Sequence, residues 1–479
     1  MPTSVALSLT EVRNALLRRE FSCVEYALGL IERQARWRYL NGFAYFDENL
    51  LLAQAARCDR ELRSSEAPRL LLGIPIAVKD NIDTAAMPTG NGTMALRSMV
   101  PPQNAPTLVS LLKHGAMVAG KANMHELAFG VTNNNRVMGA VRNPYDFSRI
   151  PGGSSGGSGA LVGAGVVPAA LGTDTGGSVR IPAALCGAVG LRPTSGRYPS
   201  GGVAPISRTR DTVGPIARTV RDIAFLDAII TGDEELTVAR KSKGRIRLIV
   251  PRTTFWKGLT SDVEAVANAA LSKLEQIGAE LIEVDLREYP DFFGDAVPTI
   301  AMYEFKTSLQ GYLNANGYDM TVADIVAQIG SPDVAEIAHS ITGPGAVSEE
   351  SYRAALDERA RLKAAYEKVV ADHRADALVF PTTITTACPI STSGTMVLHG
   401  VSVPIFPTFT RNMEPGSNAG VPGITLPAGL TTEGLPVGLS LDAAPGTDRQ
   451  LLATALEVEA VLGPLPPPEP EYGAASNKN

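Results

Sequence analysis

The sequence is poor in the residues that build metal sites and disulfide frameworks. Its 479 residues include five histidines and four cysteines, and no two cysteines form a C-x-x-C pair. The cysteines stand far apart, at Cys23, Cys58, Cys186 and Cys388. Widely spaced thiols are typical of reduced, buried cysteines in a cytoplasmic protein. We therefore expect a cytoplasmic location, no metal ion and no cofactor.

Long apolar segments and basic clusters are missing as well. No apolar run reaches the roughly 20 residues of a membrane-spanning helix. Met1 to Arg19 contains polar and acidic residues where a secretory signal needs an unbroken apolar stretch. The formal net charge is −6, and no cluster of lysines and arginines indicates a nucleic-acid-binding surface. We expect a small-molecule partner, no membrane and no nucleic acid, with a homodimer as the assembly.

A glycine-rich stretch from Ile150 to Pro193 carries the main functional signal. It contains two Gly-Gly-Ser units, which end in Ser154 and Ser178. Between them, Val166 to Leu171 predicts a short buried strand, and a helix is expected from near Ser178 to about Cys186. Glycines at a strand-to-helix turn let backbone N–H groups point at one spot, where the helix dipole adds positive potential. Such a turn suits a serine nucleophile with an oxyanion site beside it.

Other interpretations of this stretch are less well supported. A flexible linker would not be flanked by Ala, Leu and Val, and a P-loop requires a lysine that is missing here. Gly153–Gly157 also matches the Gly-x-Ser-x-Gly elbow of α/β-hydrolases, with Ser155 as nucleophile, although Pro151 makes the preceding residues a poor central strand. Three downstream histidines are candidate bases for this alternative, which stays open: His339, His373 and His399.

A lysine at the end of an apolar run supplies a different candidate base. The run extends from Leu70 to Val78 and is followed by Lys79. A lysine buried at a strand end loses its charge by desolvation, and a neutral amine is a usable base. The ordinary alternative is a side chain whose amine reaches water. Lys79 therefore gains significance only together with the serine motifs.

Three segments together resemble the amidase signature family: Gly73–Asp80, Pro151–Ser158 and Gly172–Pro182. The resemblance extends from about Leu9 to Gly463. It implies a triad with Ser178 as nucleophile, Ser154 as a bridging serine on a cis peptide, and Lys79 as base. It also implies an oxyanion hole formed by the amides of Thr175, Gly176, Gly177 and Ser178. Supporting roles are implied for Ser155, Asp174 and Arg180.

The same resemblance places an acyl pocket beside the segment that follows Asn123. The implied substrate-binding residues are Leu127, Ala128, Phe129, Gly130, Val131, Thr132 and Asn133. Within the family the sequence is most similar to the arylacetamide hydrolases, which implies hydrolysis of a small aryl-containing carboxamide to an acid and ammonia. The glutamine-hydrolysing A subunit of tRNA amidotransferases shares the triad and stays open as an alternative. A catalytically dead binding module would require the loss of a triad residue.

The resemblance implies an α/β fold with a large mixed central sheet covered by helices on both faces. The patterns agree, since Arg245–Pro251, Asp262–Ile277 and Ala279–Leu286 predict a βαβ unit. We expect one domain over residues 1–465, with a catalytic core at about 70–232, a C-terminal lobe at 240–465 and a flexible tail at 466–479. The least regular part, Tyr289–Gly345, is expected to tune specificity.

Overall fold

A sheet of eleven strands organises the fold. The computed structural model describes residues 7–65, 67–233, 235–238, 244–292, 297–343 and 346–470. Within these ranges the strands are β1 Phe43–Tyr45, β2 Pro75–Lys79, β3 Met117–Ala122, β4 Ala169–Asp174, β5 Val189–Arg192, β6 Thr212–Ala217, β7 Arg247–Val250, β8 Glu280–Glu283, β9 Ala377–Pro381, β10 Thr395–Leu398, β11 Val401–Pro404, β12 Gly423–Leu430 and β13 Pro436–Asp442.

The strand directions make the sheet mixed. Its order is β1-β3-β2-β4-β6-β5-β12-β13-β9-β7-β8, and β10 with β11 forms a separate hairpin. The strand β2 is parallel to β3 and β4, and β7 is parallel to β8 and β9. Along the sheet from β4 through β6, β5, β12 and β13 to β9, each pair of neighbouring strands is antiparallel. The predicted βαβ unit is confirmed in β7, β8 and the helix between them.

Both faces of the central strands are covered. Every residue of β2, β4, β9 and β13 is buried. Because successive side chains of a strand point to opposite faces, complete burial requires cover on both sides. The predicted α/β fold is therefore confirmed. The division into a catalytic core and a C-terminal lobe stays a prediction, and strands from both segments join the one sheet.

The helices begin where the sequence supplies capping residues. Ser8 and Ser22 each form the predicted capping box with a glutamate three residues later. The helices of the described ranges are α1 Leu9–Leu17, α2 Cys23–Arg36, α3 Glu48–Ser64, α4 Pro106–Lys113, α5 Gly156–Gly163, α6 Arg180–Leu185, α7 Val220–Thr231, α8 Ser261–Gln276, α9 Val297–Ala315, α10 Val322–Val326, α11 Pro332–Thr342, α12 Glu349–Asp372, α13 Ile405–Thr410, α14 Glu414–Ala419 and α15 Asp448–Leu462. Across the described ranges, no helix has the length and apolar character required to cross a membrane.

The bounds of the strand predicted between the glycine motifs are wrong. The strand expected at Val166–Leu171 lies three residues later, because Pro168 lacks an N–H for the ladder and the strand starts after it. The helix expected from near Ser178 to about Cys186 is α6, which begins at Arg180 and ends at Leu185. The Asp174 carboxylate accepts hydrogen bonds from the amides of Gly177 and Val179, which holds the intervening residues in a turn.

The segment expected to be the least regular is largely helical. Tyr289–Gly345 contains α9, α10 and α11, while residues 293–296 and 344–345 lie outside the described ranges. In α11 the buried residues are Val334, Ala338 and Ile341, an apolar helical stripe that we overlooked. Of the predicted flexible tail, residues 471–479 lie outside the described ranges, and Tyr145 Oη donates to Pro466 O at 3.1 Å.

Candidate active site

Lys79 ends β2 in the interior of the protein. Its strand lies between β3 and β4, and the side chain is completely buried. The Nζ atom lies 2.8 Å from Ser154 Oγ and 2.8 Å from Thr173 Oγ1. Burial lowers the pKa of Lys79 to about 7, although Asp211 and Asp174 act in the opposite direction. A substantial fraction of this amine is therefore neutral near neutral pH.

Ser154 follows a cis peptide bond with Gly153. Its carbonyl oxygen accepts a hydrogen bond from the backbone amide of His125 at 3.1 Å. A Cβ at Gly153 would lie 3.2 Å from Val131 Cα, so glycine allows the two backbones to approach closely. The hydroxyl of Ser154 points at Lys79 Nζ, 2.8 Å away.

Ser178 lies in the turn between β4 and α6. The amide of Ser155 donates to Ser178 O at 3.1 Å, which holds the two serine motifs side by side. Gly177 has a φ of 111°, a conformation that favours glycine. The structure thus brings Lys79, Ser154 and the Ser178 turn together from three separate parts of the sequence.

A buried carboxylate fixes this turn. Asp174 Oδ1 accepts from Gly177 N at 2.8 Å, and Arg180 Nε lies 3.2 Å from Asp174 Oδ2. Arg192, a residue that our sequence reasoning missed, lies 3.1 Å from Asp174 Oδ1. Burial alone would raise the pKa of Asp174, but the two guanidinium groups outweigh it and hold the pKa well below its usual range. The carboxylate is therefore ionised, and it supports the turn as the resemblance implied.

The turn leaves backbone amides free beside Ser178. In the part of the chain that the structure describes, the N–H groups of Thr175, Gly176 and Ser178 have no hydrogen-bond partner. The fourth amide of the expected oxyanion hole, that of Gly177, donates to Asp174 instead. This assignment of Gly177 is therefore a correction, since one N–H cannot serve the carboxylate and an oxyanion fully. Three amides remain for an oxyanion.

Ser155 has a supporting position and not that of an elbow nucleophile. Its Oγ donates to Thr173 O and accepts from Thr173 N, both at 3.2 Å. The residues directly before it form no strand, whereas the elbow requires one. Two of the candidate histidines contact other groups: His399 contacts Gly258 O, and His373 contacts Tyr289 Oη. The geometry therefore favours the lysine-based site.

Thr173 and Asn81 complete the surroundings of the amine. Asn81 Nδ2 donates to Thr173 Oγ1 at 3.1 Å, and the same hydroxyl lies beside Lys79 Nζ. Our sequence reasoning did not assign either residue a role. The sequence offers a signal for both, because Asn81 lies two residues after Lys79 and Thr173 lies in the segment Gly172–Pro182 that resembles the family.

A cavity of about 260 Å³ lies beside the cis peptide. Four of the predicted pocket residues line it: Phe129, Gly130, Val131 and Thr132. Ile337 of α11 and Ile405 and Phe406 of α13 add apolar surface. Charged residues, Arg136, Asp333 and Glu336, also line it, so the cavity can hold a small group with an apolar part and a polar part.

Three predicted pocket residues do not line this cavity. Leu127 and Ala128 pack into a hydrophobic cluster with Phe305, and Asn133 Oδ1 accepts a hydrogen bond from Gly156 N at 3.0 Å. They shape the loop rather than the cavity wall, because their side chains are committed to other contacts. A larger cavity of about 720 Å³ has mixed walls that include Val203, Tyr312 and the charged Asp83, Arg208 and Asp211.

Within the described ranges, no group of three or more His, Cys, Asp or Glu side chains could hold a metal ion.

Comparisons with known proteins agree with this geometry. The family model described as Amidase matches residues 27–452. The chain is 41% identical to mandelamide hydrolase of Pseudomonas putida, over 96% of this chain and 92% of that protein. It is 39% identical to indoleacetamide hydrolase of Agrobacterium vitis, over 95% and 97% of the two chains. Peptide amidase from Stenotrophomonas maltophilia superposes with a TM-score of 0.83 at 27% identity, over 98% of this chain and 100% of that chain. The chain belongs to the amidase family and is a hydrolase of amide C–N bonds.

Proposed function

We propose that this amidase hydrolyses a small aryl-substituted acetamide to the carboxylic acid and ammonia. Two relatives at 41% and 39% identity are named for mandelamide and indoleacetamide, both amides that carry an aromatic group. The smaller cavity supports the same substrate class, because Phe129, Val131 and Phe406 give one part of its wall an apolar surface.

The observation that carries the mechanism is the contact between Lys79 Nζ and Ser154 Oγ at 2.8 Å in a completely buried site. A neutral Lys79 amine accepts the proton of Ser154 while Ser154 accepts the proton of Ser178. The Ser178 oxygen then attacks the amide carbon and forms a tetrahedral oxyanion. The amides of Thr175, Gly176 and Ser178 stabilise this negative charge, and one such donor contributes about 3 kcal/mol.

Return of the proton completes the first half of the reaction. Lys79 passes it back through Ser154 to the leaving nitrogen, the C–N bond breaks and ammonia departs. An ester on Ser178 remains, and water attacks it with the same lysine as base. The products are the carboxylic acid and the regenerated serine, so that one water is consumed for each amide.

An amide panel tests the substrate class. The purified chain is incubated with phenylacetamide, mandelamide, indole-3-acetamide and glutamine, and ammonia is measured without tRNA, ATP or a second protein. We expect release from the aryl amides, and formation of the hydroxamate when hydroxylamine competes with water for the acyl-enzyme. Hydrolysis of glutamine with no turnover of any aryl amide would refute the substrate class and favour the amidotransferase alternative.

We also propose a cytoplasmic location. All four cysteines are unpaired and buried in the folded chain, a state that suits a reducing compartment. Cell fractionation with a periplasmic and a cytoplasmic marker enzyme tests this, and activity that follows the periplasmic marker would contradict it.

A further inference from the structure

The peptide that joins Thr175 to Gly176 is held by charged side chains from distant parts of the chain. Arg210 stands two residues before β6, and Glu414 begins α14. Arg210 Nη2 donates to Thr175 O at 3.1 Å and to Glu414 Oε2 at 2.5 Å. Asp211 Oδ1 accepts from Thr175 Oγ1 at 2.5 Å. The start of the turn that leads to Ser178 is therefore fixed from outside the turn.

Because of peptide geometry, the hydrogen bond from Arg210 to Thr175 O also fixes the direction of the Gly176 N–H group. The C=O of Thr175 and the N–H of Gly176 belong to one planar trans peptide group, so they point in opposite directions. A donor bound to Thr175 O consequently sets the direction of Gly176 N–H. Gly176 has no side chain that restricts its own backbone, so the direction of its N–H depends on such external contacts.

Glu414 keeps the arginine at this position. The side chains are 2% exposed for Arg210 and 17% exposed for Glu414. A Cβ at Gly176 would collide with Glu414 Oε1, so the carboxylate packs directly on the turn. Loss of either partner would leave a largely buried charge, which is costly. The cation also polarises the peptide group and makes Gly176 N–H a stronger donor.

We propose that Arg210 is a positioning residue for the oxyanion hole. Held by Glu414, it orients the peptide between Thr175 and Gly176 so that Gly176 N–H meets the oxyanion formed at Ser178. The inference rests on the proposed function, because it requires that oxyanion. It assigns to Arg210 an effect on the transition state, with little effect on binding of the substrate.

The test compares Arg210→Met with Arg197→Met, a control that removes a partly buried arginine from its 2.6 Å ion pair with Asp227. We expect R210M to lower kcat about 100-fold with KM within about twofold of wild type. Inhibition by phenylacetaldehyde, which adds to a serine to give a tetrahedral adduct, should weaken by a similar factor. Inhibition by phenylacetate, which forms no such adduct, should stay unchanged. R197M should retain wild-type kcat and aldehyde inhibition.

Three results would overturn the assignment: a kcat of R210M within about threefold of wild type, an equal loss of aldehyde and phenylacetate inhibition, or the same losses in R197M. Should R210M fail to fold, Arg210→Lys serves instead, since it keeps the charge but lacks the planar guanidinium that binds Thr175 O and Glu414 Oε2. Wild-type aldehyde inhibition in folded R210K overturns the proposal, and a selective loss supports it. Ser178→Ala distinguishes failure of the proposed function from failure of the inference about Arg210. An active S178A refutes the proposed function, whereas an inactive S178A with a normal R210M refutes only this inference.

Discussion

Two buried lysines on neighbouring strands show how partners decide the use of the same side chain. Lys79 ends β2 and Lys121 lies on β3, and both are completely buried. Burial lowers the pKa of Lys79 to about 7 and that of Lys121 to about 8. The amine of Lys121 donates to Ile82 O at 2.5 Å and to Thr89 Oγ1 at 2.7 Å. Lys79 contacts the hydroxyl of Ser154 instead.

The difference teaches that a lowered pKa alone does not make a base. Lys121 donates to a carbonyl and to two threonine hydroxyls in the loop after β2, and its electrostatic neighbours are Asp80 and Asp83. It therefore ties this loop to the sheet. Lys79 contacts Ser154, whose hydroxyl can donate a proton to the neutral amine. We infer that contact with Ser154, the serine that the resemblance links to Ser178, and not burial, sets the proposed base Lys79 apart from Lys121.

The largest effect is expected at the nucleophile. Ser178→Ala removes the atom that forms the acyl-enzyme, so kcat should fall by about 10⁵-fold or more. Steady-state ammonia release measures this, and mass spectrometry after hydroxylamine-free quenching should show no acyl adduct on the variant. Ser155→Ala is the matched control. An S155A variant that is dead while S178A is active would establish the elbow alternative.

The variants Lys79→Met and Lys121→Met test the different roles of the two lysines most directly. Loss of the base in K79M should lower kcat/KM about 10⁴-fold while the free energy of unfolding changes little or rises. K121M should keep activity within about tenfold and lose about 1–3 kcal/mol of stability, because the carbonyl of Ile82 and the two threonines lose their donor. Urea titrations and kcat/KM for phenylacetamide measure both quantities. The reverse pattern would assign the catalytic role to Lys121.

A smaller loss is expected for the bridging serine. Ser154→Ala interrupts the path between Ser178 and Lys79 but leaves both end groups, so kcat should fall about 10³-fold. Ser158→Ala is a control at a buried serine of the same motif, whose Oγ donates to Leu171 O at 3.0 Å. An S154A variant with wild-type kcat would show that Lys79 acts on Ser178 directly or not at all.

The smallest effect is expected in the cavity. Phe129 lines the wall and stacks edge-on against Phe305, with ring centroids 4.8 Å apart. Phe129→Ala should raise KM for an arylacetamide about tenfold and change it little for acetamide, which has no aryl group. Equal changes for both amides would place the aryl group elsewhere.

The sequence indicates the backbone turns of the candidate site more clearly than the residues around its cavity, for a physical reason. The serine motifs need glycine at Gly153 and Gly177, because a side chain there would meet Val131 or Met413, and such backbone requirements are visible in a sequence. The contacts of Arg192, Arg210 and Glu414 link positions far apart along the chain, and no local pattern predicts them. The helix α10 has only five residues, too few to show a helical period, whereas α9 and α11 are long enough to be predicted from their apolar residues. Their contribution to specificity stays a prediction.

The pH dependence of kcat/KM tests the central claim, that neutral Lys79 is the base, most directly. The free enzyme is active only when Lys79 is deprotonated, so kcat/KM for phenylacetamide should rise with pH through an apparent pKa near 7 and reach a plateau in mild alkali. The residual activity of Lys79→Met should lack this rise. A profile that is flat from pH 5 to 9, or a rise that persists unchanged in K79M, would contradict the account.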